Sequence, residues 1–168
     1  ITLGDTLVHT MHVCNAMVAK NKEDGIVDDD HIARRMFAAL LHDVGKPDTF
    51  EIGKDGRIHN PAHDSVGEEI ARGFLRKLFK SDLQAKDGDF IDAVAAMVRL
   101  HMRHIGFEGS QPQVRKLALQ VPMKDLAAIV VADHSGRPWK GQLIMPDQMN
   151  HMLDVAAEVQ VMDAKPQA

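Results

Sequence analysis

MFAALLHDVGKP, residues 36–47, is a dense apolar run that ends in His42 and Asp43 and then in Val44, Gly45, Lys46 and Pro47. The run lacks strict alternation and has helix-friendly flanks, which predicts a buried helix. Gly45 and Pro47 are stop signals: glycine accepts a left-handed cap, and proline cannot continue a helix. Asp43 is then a carboxylate near a helix C-terminus, where the backbone dipole is already negative. That placement is unfavourable without a cation. His42 beside it offers a neutral imidazole nitrogen, and the pair points to a metal.

Working towards the N-terminus, residues 5–20 read as a helix with Leu7, Met11, Cys14 and Val18 forming an apolar stripe at helical spacing. His9 lies off that stripe, on a side shared with Val13 and Ala16. His12, three residues on, neighbours His9, and helical geometry alone does not choose between them as a ligand. Residues 21–30 read as a polar connection. Asp28, Asp29 and Asp30 complement the positive end of the second helix and need no metal. His31 reads as a solvated first-turn residue. Ile32, Met36, Phe37, Leu40 and Leu41 lead from there to His42.

Towards the C-terminus, residues 49–52 and 57–59 flank GKDG and suggest a small hairpin, with His59 on its surface. A third helix follows, entered at His63, with Val66, Ile70, Phe74 and Leu78 facing inward. Residues 81–89 are polar and read as a loop. The next helix, about 90–104, carries Ile91, Val94, Val98, His101 and Ile105 on one face, so His101 falls on buried surface and His104 beside it. A short helix, 113–120, breaks at Val121-Pro122. Asp125 reads as the N-cap of a sixth helix, with Leu126, Ile129, Val130 and Asp133 as its stripe. Asp133 is thus a second carboxylate at the end of an apolar helix, and one metal would explain both it and Asp43. Arg137 follows within reach of anything bound there. Asp147 opens a last helix with Met149, Met152, Leu153 and Ala156 inside.

The segments GDTLVHTMHV, LLHDVGKP, those around His63 and His101 (VRLHM), and VADHSGRP occur in the order seen in HD-domain metal-dependent phosphohydrolases. The chain resembles that superfamily, and within it the HD region that follows the catalytic head of bacterial CCA-adding tRNA nucleotidyltransferases. The resemblance implies an all-α bundle of six or seven helices and selects His9, followed by Thr10 and Val13, over His12. It implies a metal set of His9, His42, Asp43 and Asp133, the ion being Mn, Ni, Fe, Co, Zn or Mg. His63 and His101, with Arg137, are expected at a second metal or a phosphate. Asp43 and Lys46 are expected to act in catalysis. Ala62-His63-Asp64 departs slightly from the Gly-His-Asp common in relatives but keeps the histidine. The implied chemistry is hydrolysis of a nucleotide phosphoester, of the 2′,3′-cyclic phosphodiesterase, 2′-nucleotidase or phosphatase type. The alternatives are a module that positions RNA for an attached polymerase head and a nucleotide-sensing domain.

Composition bounds these readings. The 168 residues suit one domain, 1–168, with ten Met and few aromatics in a helical core. The chain begins at Ile1, and VQVMDAKPQA (residues 159–168) resembles the tail of an HD region, so an excised piece of a longer protein is expected, its nucleotidyltransferase head absent. The net charge of −4 disfavours a strong freestanding nucleic-acid binder, although tRNA could be a partner through such a head. One cysteine fits a reducing cytoplasm. No stretch suits a transmembrane span.

Overall fold

The computed structural model describes residues 3–79 and 84–162, with side chains from Asp5 onward. Its elements are α1 (Leu3–Glu23), α2 (Asp29–Leu41), a 3₁₀ turn (Pro47–Thr49), β1 (Glu51–Ile52), β2 (Ile58–His59), α3 (His63–Phe79), α4 (Ala85–Leu100), α5 (Gln111–Ala118), α6 (Met123–Ser135) and α7 (Asp147–Glu158). The fold is all-α with one small antiparallel hairpin, Glu51 opposite His59 and Ile52 opposite Ile58, as the sequence suggests. No helix among the described residues is long and apolar enough to cross a membrane.

α6 is the centre. Leu126 to Ala132 are all buried, the pattern of a helix apolar on every side. It packs against α1, α2, α4 and α7, while α3 lies on α4 and α5 on α7. Every helix that touches α6 can therefore aim a side chain at its last turn, where Asp133 sits.

Several helix faces differ from the sequence expectation, for one physical reason. In α1 the stripe Leu7, Met11 and Val18 is exposed, and Val13, Ala16 and Met17 are buried. In α3 Phe74 and Leu78 are exposed, while Gly67, Ala71 and Leu75 are inside. Closely approaching helices need small residues at the contact, so the inward faces centre on Ala16, Gly67 and Ala71, with Met17 and Leu75 filling the space beside them and the bulky Leu7, Met11, Phe74 and Leu78 left outside. Leu40 and Ile105 also prove exposed. α4 begins at Ala85 rather than about Phe90, because Gln84 and Asp87 form a reciprocal capping box. Residues 80–83, which include the first three positions of the expected 81–89 loop, and 163–168, part of the expected tail, lie outside the described residues.

Gly45 does not act as a left-handed cap, and the chain past His42 continues in tight turns. It is needed instead because α3 comes against it. A Cβ there would overlap the His63 carbonyl oxygen and lie 2.6 Å from the Gly67 nitrogen. Gly136 plays the same part against α1, where a Cβ would lie 2.8 Å from Val13 Cγ2. The two glycines let α3 and α1 close on the ends of α2 and α6.

Candidate metal centre

Six side chains from five segments meet at these helix ends. His9 comes from α1, His42 and Asp43 from the end of α2, His63 from the first turn of α3, His101 from the end of α4 and Asp133 from α6. His42 and His101 are fully buried, and Asp43 and Asp133 nearly so.

The four histidines share one device. Nδ1 of His9 contacts the Gly136 carbonyl at 3.1 Å, that of His42 the Ala39 carbonyl at 2.8 Å, that of His63 the Asn60 carbonyl at 2.9 Å and that of His101 the Val98 carbonyl at 2.6 Å. A carbonyl oxygen only accepts, so each Nδ1 carries the proton and donates. In the neutral ring Nε2 is then a lone pair. Carbonyl anchoring of the distal nitrogen is how metal-ligating histidines are oriented.

The Nε2 atoms face oxygens that also have only lone pairs. His9 Nε2 is 2.9 Å from Asp133 Oδ1 and 3.6 Å from Asp43 Oδ2. His42 Nε2 is 3.2 Å from Asp43 Oδ2 and 3.5 Å from Asp133 Oδ1. His63 Nε2 is 3.6 Å from Asp43 Oδ1. Nε2 of His42 and of His63 are buried without a hydrogen-bond partner, a costly state that calls for a cation. The atoms fall into two groups that could each hold an ion: His9, His42 and Asp133, and Asp43, His63 and His101, each with ligand atoms within 4.8 Å of one another. Asp43 turns Oδ2 towards the first group and Oδ1 towards the second. Imidazole and carboxylate together suit borderline divalent ions.

The electrostatics make the same demand. Burial pulls the His42 imidazole down, but Asp133 and Asp43 outweigh it and raise it to about 10. Burial raises the Asp43 carboxyl, yet His42 and Lys46 hold it well below its usual range. Burial opposes ionisation of Asp133 as well, and His42, His9 and Arg137 hold it far lower still. Burial, then the charge on His42, lowers His101 to about 4, so it stays neutral and ligand-ready. The interior requires positive charge, and a divalent ion meets that need with every imidazole neutral.

Lys46 Nζ lies 2.6 Å from Asp43 Oδ2, and Arg137 donates to Asp133 Oδ2 at 3.0 Å. Both cations thus stand at the rim of the centre. They line a cleft of about 520 Å³ that reaches His9. His12 lines it too, a placement that its spacing from His9 allowed without indicating. His104, off the apolar face of α4, is half-buried with Nδ1 donating to the His101 carbonyl at 3.1 Å.

Two residues expected to be unremarkable are engaged elsewhere. Asp125 is not an N-cap, which is Pro122. It is buried, accepting from Arg35 Nε at 2.8 Å and lying 2.7 Å from His31 Nε2. His31 is therefore paired rather than simply solvated. The adjacent Arg34 and Arg35 look alike in sequence, and nothing local marks Arg35 as the one whose partner lies ninety residues away.

Comparisons with known proteins agree with this architecture. No solved structure matches the chain. The A-adding tRNA nucleotidyltransferase of Deinococcus radiodurans is 33% identical over 98 residues, 58% of this chain and 21% of that protein. The CC-adding tRNA nucleotidyltransferase of Thermus thermophilus is 35% identical over 99 residues, again 58% and 21%. The match thus spans about a fifth of the length of these curated relatives. The HD domain family model matches residues 6–135, from the turn before His9 to the residues just past Asp133, and the chain belongs to that family.

Proposed function

We propose that this chain is a metal-dependent phosphohydrolase of nucleotide phosphoesters, with 2′,3′-cyclic esters, 2′-monophosphates and other phosphomonoesters as its first candidate substrates. The observation that carries the reading is the set of inward Nε2 lone pairs, each fixed by a carbonyl bond at Nδ1 and facing ionised carboxylates. His9, His42 and Asp133 would hold one divalent ion, and His63 and His101 a second, with Asp43 shared. A divalent ion supplies a Lewis acid and, by lowering the pKa of a bound water, hydroxide at neutral pH. The residues do the rest. The carbonyl bonds keep the rings oriented, and burial of His42 and His101 keeps bulk water from the ligands. Lys46 and Arg137, tethered to the carboxylates at the cleft, offer charge to phosphoryl oxygens. The nucleotide preference comes from the family resemblance and from the relatives' names. The half-buried single Cys14 and tRNA-acting relatives suit a cytoplasmic setting.

The test is phosphate or nucleoside release from a nucleotide panel after chelation, with Mn, Ni, Fe, Co, Zn or Mg restored singly. Metal-dependent release supports the reading. A folded, metal-loaded protein inert across the panel favours a second one, a non-catalytic module that positions tRNA for a polymerase head or senses a nucleotide on its behalf. The two nucleotidyltransferase relatives favour that alternative.

A further inference from the structure

A second cleft, of about 530 Å³, opens on the other side of Arg137. Asp133 and Arg137 line it, so it meets the same centre as the cleft that holds Lys46. Its chemistry is different. Ile105 and Ile144 project into it, 58% and 48% exposed, with Met145 between Ile144 and the start of α7. Large apolar side chains left open in a concave site next to convergent polar groups are a ligand-binding pattern.

The walls are pinned. The Ile144 amide donates to the buried Ser135 hydroxyl at 2.8 Å, which fixes one side to α6. The Gly106 amide donates to Gln148 Oε1 at 3.2 Å, which ties the turn after Ile105 to α7. That bond uses the acceptor of Gln148 and leaves its amide N–H groups for a ligand. The first cleft, with Lys46, Arg137 and His12, suits a phosphoryl group; the second sets Ile105, Ile144 and Met145 beside the Gln148 amide, with His104, His134 and Asp147 also lining it and Arg137 its one lysine or arginine among the described residues. An ester whose phosphorus sits at the centre beside Lys46 has room for its organic part across Arg137 in this second cleft.

We propose that the cleft between Ile105 and Ile144 is the subsite for the planar organic half of the phosphoester, a nucleobase by its chemistry, with Gln148 reading its edge. The proposal rests on the phosphohydrolase reading, which places phosphate beside Lys46 and makes the ester a nucleotide.

The experiment is calorimetric titration of the Mn-loaded protein with adenosine 2′-monophosphate and, separately, with inorganic phosphate. Ile105→Ser and Ile144→Ser are compared singly and together. Both positions are exposed and the changes add no charge, so fold and phosphate attraction should be preserved, which melting and metal content verify. Wild type should bind the nucleotide about tenfold or more tighter than phosphate, and the double variant should lose about tenfold in nucleotide affinity while phosphate affinity stays within about twofold. Equal wild-type affinities, or a double variant that weakens both ligands alike, would overturn the subsite. A protein inert in hydrolysis that keeps the preference retains the subsite and loses the hydrolase reading. An active one without the preference does the reverse.

Discussion

Two buried polar clusters lie at different levels of the same three helices, about 12 Å apart along α6 from Asp125 to Asp133. At one level Arg35 of α2, its side chain 1% exposed, bonds Asp125 of α6 at 2.8 Å and Asp24, just past α1, at 2.7 Å. Lys20 lies 2.9 Å from the other oxygen of Asp24, and His31 shares Asp125. Every charged donor there faces an acceptor, and the buried Asn21 amide, which accepts from Arg35, leaves only its own nitrogen without a partner. Burial raises the Asp24 carboxyl, but Arg35 and Lys20 more than reverse that. At the other level α1, α2 and α6 contribute His9, His42 with Asp43, and Asp133, and there acceptor faces acceptor. The first arrangement pairs its charges within the protein alone and ties the helices together. The second leaves a place that only a proton or a metal ion can fill. Burial and charge do not distinguish a structural cluster from a functional one here; unmatched lone pairs do.

The strongest way to break this contrast is to remove the shared carboxylate. Asp43→Ala should lower turnover by about a thousandfold or more, since it takes a ligand from both metal groups, and should reduce bound metal measured by elemental analysis. Residual activity at the wild-type level would mean that the chemistry lies elsewhere. In the other cluster, Arg35→Ala leaves Asp125 and Asp24 without their cation and should cost about 3–5 kcal/mol of stability in denaturant unfolding. Below its melting temperature that variant should still bind metal with wild-type stoichiometry. Loss of metal from the folded Arg35→Ala protein would show that the two clusters are not separate in function.

A third prediction turns on pH. His42 is raised from 6.5 to about 10 in the folded protein, so its contribution to stability is complete below about pH 6.5 and is lost as pH rises towards 10. Asp43 and Asp133 are depressed from 3.8, so theirs is present above about pH 4 and is lost only in acid. The chelated protein should therefore be most stable between about pH 4 and 6.5 and should melt at falling temperatures from pH 6.5 to 9. Metal ligation needs His42 neutral and releases its proton. Added Mn should then raise the melting temperature more at pH 8.5 than at pH 6. A chelated protein indifferent to alkaline pH would remove the argument that acceptor faces acceptor at His42.

Much of this was legible in the sequence, because helices and their ends are local. The apolar runs before His42 and Asp133 mark buried helices, and a carboxylate at each C-terminal end stands out against the dipole. The face of α4 that places Ile91, Val94, Val98 and His101 inside is also correct as read, Ile105 beyond the helix end excepted. What failed was the choice of face where helices approach closely. Leu7, Met11 and Val18 outweigh Val13, Ala16 and Met17 in bulk, yet the smaller set is buried. His9 nevertheless shares its side of the helix with Val13 and Ala16, and that side proves to be the inner one. Gly45 is a conformational signal in the sequence and a packing requirement in three dimensions, since the segment that presses on it is far along the chain. The Arg35 cluster joins residues 90 and 94 positions apart and leaves no spacing to read. The clefts are likewise assembled from distant turns.

The smallest expected effect concerns Lys46, where the contrast between the two clusters is finest. Its 2.6 Å contact with Asp43 is made three residues along the chain, and by geometry alone it is an ordinary pair of the kind that abounds around Arg35. Its place in the cleft is what sets it apart. If it only steadied Asp43, Lys46→Ala would weaken metal affinity and turnover together. If it also meets a phosphoryl oxygen, Lys46→Ala should lower kcat about 10- to 100-fold with metal content unchanged, a loss of about 1.4–2.7 kcal/mol in transition-state stabilisation. Lys46→Arg should recover part of that rate, because the charge returns at a similar reach. Inorganic phosphate should bind the Ala variant more weakly and the Arg variant nearly normally. A rate loss that follows metal loss in both variants would place Lys46 with the structural pairs. An effect on phosphate with metal intact would place it with the centre, since the cation would then be acting on substrate beyond the carboxylate it already neutralises.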